Sequence, residues 1–178
     1  VTWGGQVGAG IFVAVGLASS VMTSSDGSYW TARSSAQVSD WQSVTWGGKP
    51  GSELFVAVGT SGGVMTSPDG RTWTAQTAAA KTWLAVTWGR PTYPKFVAVG
   101  VGCVMTSYDG VAWASRTPGS SSLTAKWQSV TWGGPAGREV FVAVAYNSIP
   151  GVMSSSDGID WENHNPTSSE HWSSVVWG

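Results

Sequence analysis

The chain has 178 residues, of which 13 are Trp, 24 are Gly and only 11% are charged, with a formal net charge of −1. That length can bury a core as one domain, so folding requires neither disulfides nor a structural metal. A near-neutral surface argues against nucleic acid or an anionic membrane as partner. No apolar run approaches the roughly 20 residues of a spanning helix, so no membrane insertion is expected, and the lone Cys103 excludes an intramolecular disulfide framework.

Val-Thr-Trp-Gly begins at Val1, Val44, Val86 and Val130, with the variant Val-Val-Trp-Gly at Val175, giving spacings of 43, 42, 44 and 45 residues. Each period then runs in one order. Phe-Val-Ala-Val follows (Phe12, Phe55, Phe96, Phe141), then Val-Met-Thr/Ser-Ser (Met22, Met65, Met105, Met153). An Asp-Gly pair comes next (Asp26, Asp69, Asp109, Asp157), with a Trp three residues after its glycine (Trp30, Trp73, Trp113, Trp161). A polar connection leads to a last Trp (Trp41, Trp83, Trp127, Trp172), three residues before the next copy. Every Trp, Phe and Met falls in this register, which points to one packing problem solved repeatedly.

The β-branched and aromatic runs bounded by glycine read as strands, and Asp-Gly between two of them reads as a tight hairpin turn. All eight prolines fall between strands or at their ends. No segment carries a helical period. Four short strands in about 43 residues match one blade of a β-propeller. The predicted fold is all-β: four four-stranded blades over residues 1–43, 44–85, 86–129 and 130–174, with 175–178 opening a fifth copy. Val1–Gly4 and Val175–Gly178 are the same element and cannot both fill one slot of a closed four-blade ring. The expectation is therefore a part of a larger propeller, or one completed by another molecule.

The motif Ser-x-Asp-Gly-x-x-Trp, at Ser24–Trp30, Ser67–Trp73, Ser107–Trp113 and Ser155–Trp161, resembles the Asp-box of BNR-type propeller repeats. Those repeats occur in sialidases, sortilin-like receptors and photosystem-assembly propellers. The usual box has one more residue between Asp and Gly. The resemblance implies that Asp26, Asp69, Asp109 and Asp157 are structural turn residues accepting backbone N–H groups, and that the box Trp packs between sheets. Calcium would want six to eight oxygens, whereas each turn offers one carboxylate and only the fourth adds another, Asp160. No metal or other cofactor is expected.

Sialidase-type catalysis needs converging arginines and a Tyr with an acidic partner. The five arginines include Arg33 and Arg116 at nearly equivalent repeat positions, which reads as repeat geometry. The remaining acids form no recurring pair suited to glycoside hydrolysis. His164 and His171 lie near Glu162 and Glu170 without the short spacing of a metal motif. Cys103 reads as a small strand-end residue. No enzyme activity is expected.

In a repeat protein the shared residues build the scaffold and the differing ones carry function. The loops after Phe-Val-Ala-Val and between blades should emerge on one face, opposite the Asp-Gly turns. Contact residues expected there are Tyr146, Asn147, His164, His171 and Trp172. The leading reading is a structural or protein-interaction module, bound to a protein partner or self-associating, in an extracellular or particle-surface assembly. A glycan partner stacked on Trp41, Trp83, Trp127 and Trp172 is the alternative, and a sialidase-type hydrolase the weakest.

Overall fold

The structure is a computed structural model that describes residues 1–119, 124–146, 151–165 and 171–178. It holds four four-stranded antiparallel sheets, each a simple meander in chain order, and no α-helix among the described residues. The first comprises β1 (Thr2–Gly4), β2 (Ile11–Val15), β3 (Val21–Ser24) and β4 (Thr31–Arg33). The second comprises β5 (Trp41–Gly47), β6 (Leu54–Gly59), β7 (Val64–Ser67) and β8 (Thr74–Ala75). The third comprises β9 (Trp83–Gly89), β10 (Lys95–Gly100), β11 (Cys103–Ser107) and β12 (Ala114–Arg116). The fourth comprises β13 (Lys126–Gly133), β14 (Val140–Tyr146), β15 (Val152–Ser155) and β16 (Glu162–His164).

Two strand boundaries differ from the sequence reading. The first strand of sheets two to four starts at or just before the preceding Trp, and a register shift after that Trp lets the longer strand follow its neighbour. The Asp-Gly segment is wider than a two-residue hairpin. β3 ends at Ser24 and β4 begins at Thr31, so the box Trp lies in the turn and not in the last strand. Its indole N–H holds it there, donating to the carbonyl of the turn glycine at 2.9–3.2 Å in all four copies.

Successive first strands β1, β5, β9 and β13 contact one another and form the inner edge on which the sheets stack. Each first-strand glycine leaves room for a large ring of the following unit. A Cβ on Gly4 would strike Trp46, one on Gly47 would strike Trp88, and one on Gly89 would strike Phe141 and Trp132. Between adjacent sheets the apolar residues form three clusters of the same composition. In the middle one, Val56, Val58 and Val64 of the second sheet meet Trp83, Val86, Phe96, Ala98 and Met105 of the third. The first pairs Ile11, Val13 and Val21 with Phe55, Ala57, Met65 and Trp73, and the last pairs Val97, Val99 and Val104 with Phe141, Ala143 and Met153. One face of a blade thus presents valines, and the other presents Phe, Ala, Met and the box Trp.

Residues 171–178 carry no strand partner of their own but lie where the first strand of a next sheet would. A Cβ on Gly133 would strike Trp177, and the Val175 N–H donates to Ser129 Oγ at 3.2 Å, as the Val86 N–H donates to Ser43 Oγ at 3.2 Å between the second and third sheets.

Candidate functional site

The four Asp-Gly turns are alike to within a few tenths of an ångström. In each, one carboxylate oxygen accepts the backbone N–H groups two and three residues ahead, at 2.8–3.0 Å. The Ser two residues before donates its hydroxyl to the same oxygen at 3.0 Å and accepts the N–H of the turn glycine at 2.8 Å. These donors hold all four carboxyls below the ordinary aspartate value. For Asp26 the Tyr29 N–H is the largest influence, followed by that of Ser28. For Asp69, Asp109 and Asp157, burial is the largest single influence and pushes upward, but the combined N–H and hydroxyl donors outweigh it. A carboxylate oxygen so engaged holds the turn shut.

The outer strands carry a second repeated contact. Arg33 Nε donates to Thr23 Oγ1 at 2.9 Å, Gln76 Nε2 to Thr66 Oγ1 at 2.9 Å, and Arg116 Nε to Thr106 Oγ1 at 3.0 Å. His164 Nε2 meets Ser154 Oγ at 2.7 Å in the same register. This histidine is therefore the fourth version of a rung joining the two outermost strands, a role its neighbourhood in sequence with His171 conceals.

Tyr146, His171 and Trp172 are brought together. Tyr146, the last residue of β14, is 44% exposed and stacks on His171 with ring centroids 4.6 Å apart and planes 26° apart. The Trp172 N–H donates to the Ala145 carbonyl at 3.3 Å, matching the bond from the Trp41 N–H to the Gly16 carbonyl at 3.2 Å. Tyr146 takes the repeat position of Leu17, Thr60 and Val101, so an aromatic shelf occurs there in the fourth unit alone. Asn147, expected at the same place, lies outside the described residues.

Trp41, Trp83 and Trp127 do not form sugar platforms. They are 2%, 0% and 0% exposed and belong to the clusters between sheets, and Trp172 is half-buried. A polar connection before a Trp marks where the chain dives inward, which the sequence pattern alone does not distinguish from an exposed ring.

On the opposite face, Gln6 Nε2 donates to Glu53 Oε2 at 3.4 Å, and that oxygen also accepts the Gly51 N–H at 2.9 Å. Glu139 accepts the Gly137 N–H at 2.9 Å in the equivalent loop, so these acids brace turns. Lys95 is 2% exposed, its ammonium lying 5.2 Å from the centre of the Tyr108 ring. Cys103 is buried at the start of β11, and burial pushes its thiol up to about 11, against a smaller opposing influence of Lys81. Among the described residues no three His, Cys, Asp or Glu side chains group closely enough to hold a metal ion.

No family model matches the chain, and no curated protein matches it. Among solved structures it is similar to YCF48 bound to D1 peptide, with a TM-score of 0.61 and 18% identity over 91% of this chain and 51% of that one. The chain thus spans about half the length of that structure. At this identity the likeness concerns the fold, and it agrees with four sheets stacked as propeller blades.

Proposed function

We propose that the chain is a non-catalytic protein-interaction module of the propeller type, built from Asp-box-like repeats and working within a larger extracellular or particle-surface assembly. The observation that carries this reading is the Tyr146–His171 stack. It is an exposed aromatic pair at a position filled by Leu17, Thr60 and Val101 in the other three units. Flat aromatic surface of this kind is the usual anchor of a protein or peptide contact. The similar fold of YCF48, recorded with a peptide bound, supports the class of partner. Arg33, Arg116 and His164 serve as rungs and the four turn aspartates as turn acceptors, which favours binding over catalysis.

Selection of random linear peptides on the folded chain, followed by calorimetry, tests the proposal. A selected peptide should bind about tenfold or more weakly to the Tyr146→Ala, His171→Ala double variant, the equivalent of about 1.4 kcal/mol. No selected binder, or affinity unchanged by the double substitution, contradicts it.

A further inference from the structure

The residue before the last Trp of each repeat and the residue that follows each Phe-Val-Ala-Val by one place meet on one face of the molecule. The first set reads Asp40, Thr82, Lys126 and His171, and the second reads Leu17, Thr60, Val101 and Tyr146. Within a sheet the two sets pair. The Thr60 N–H donates to the Asp40 carbonyl and the Val101 N–H to the Thr82 carbonyl, both at 3.1 Å, and Lys126 lies opposite Tyr146. From one unit to the next, Val101 forms a bridge with Lys126, and Tyr146 stacks on His171. Val101, Lys126, Tyr146 and His171 therefore make one unbroken row, and all four are exposed.

Strand register sets the direction of the side chains. Trp127 and Ala145, the next pair along, are 0% exposed and turn into the core between the third and fourth sheets. Alternation then puts Lys126 and Tyr146 together on the other side, with Cβ atoms roughly 5 Å apart. The row carries charge without a counter-ion. Asp40, the acid of the first set, is already engaged, its Oδ1 accepting the Ala18 N–H at 2.9 Å. No ion pair among the described residues involves Lys126 or His171. Glu162, the exposed acid of β16, pairs with Ser154 opposite Val142, at the far end of β14 from Tyr146. That separation is roughly 13 Å along the strand, beyond a screening length of about 8 Å. Glu170 lies outside the described residues.

We infer that the partner is an acidic peptide segment. Its carboxylates are met by the Lys126 ammonium and an N–H of the His171 imidazole, while an apolar side chain beside them lies on Tyr146 and Val101. One ammonium and one imidazole on a chain of net charge −1 suit a few carboxylates and not a polyphosphate backbone. The inference rests on the protein-interaction reading and adds the chemistry of the partner.

The test is selection of random linear peptides on the parent chain and, in parallel, on Lys126→Glu, with the binders measured by calorimetry. Lys126 is exposed, so the variant should keep the circular dichroism and thermal unfolding of the parent. Peptides selected on the parent should carry more Asp and Glu than the starting library, and should bind more weakly as salt is raised. Their affinity should fall about fivefold or more in Lys126→Glu and hold in Lys126→Arg. Selection on Lys126→Glu should lose the preference for acidic peptides. Binders that need Tyr146 and His171 but are neutral or basic, or that ignore Lys126→Glu, overturn this inference and leave the protein-interaction reading standing. A selection that yields no binder overturns both.

Discussion

At the scale of single residues, the aspartates of the four turns are the clearest case of chemistry dictated by position. A carboxylate oxygen that accepts two backbone N–H groups and a hydroxyl is worth more ionised than protonated, so its folded-state pKa lies below that of the unfolded chain. Such groups contribute stability that is fully present above the unfolded value and is lost as pH falls through the folded one. Urea midpoints should therefore hold from neutrality down to about pH 4 and drop below the ordinary aspartate value of 3.8. Replacing Asp69 with Ala should cost about 1 kcal/mol in urea unfolding by removing its turn acceptor, and Asp69→Asn should flatten part of the acid dependence. Cys103 offers an independent check. Buried, with its thiol raised, it should react with a disulfide reagent at pH 8 only slowly until urea unfolds the chain. The Ser-x-Asp-Gly-x-x-Trp spacing made the turn role of these aspartates readable. The rung made by His164 was not readable, because its counterparts Arg33, Gln76 and Arg116 are chemically unlike it and only strand register aligns them.

At the scale of strands and turns, packing decides how much each repeat position is worth. Gly70 has a φ of +70° and sits against Val13 and Ile11, so it meets both a backbone and a steric demand. Gly27, at +77°, meets only the backbone demand. Gly70→Ala should accordingly lower the thermal midpoint well beyond Gly27→Ala, although the two occupy the same place in the motif. Phe96→Ala empties a fully buried site and should cost about 3–5 kcal/mol. Phe12→Ala, on the uncovered first sheet, should cost distinctly less by the same chemical denaturation. The existence and order of the strands followed from runs such as Phe-Val-Ala-Val between glycines. Their ends did not, because the start of β5 at Trp41 depends on a register shift and the start of β4 after Trp30 depends on an indole hydrogen bond. Neither contact leaves a mark in local composition.

At the scale of the whole molecule, the repeated tryptophans explain the scaffold, and the residues that break the repeat carry the proposed contact. The sequence register was enough to separate Tyr146 from its counterparts Leu17, Thr60 and Val101. It could not foresee that His171 would stack on Tyr146, since that contact joins the end of β14 to a segment laid down as the next inner strand. Nor could it tell an inward Trp41 from an outward one. The account's central claim is that binding occurs on the face of Tyr146, His171 and Trp172 and not on the face of the Asp-Gly turns. Hydrogen exchange with and without a selected peptide tests it most directly. The account predicts slowed exchange at residues 144–146 and 171–173 and no change at 26–29 or 108–111. Slowing at the Asp-Gly turns, with residues 144–146 and 171–173 unaffected, would contradict it.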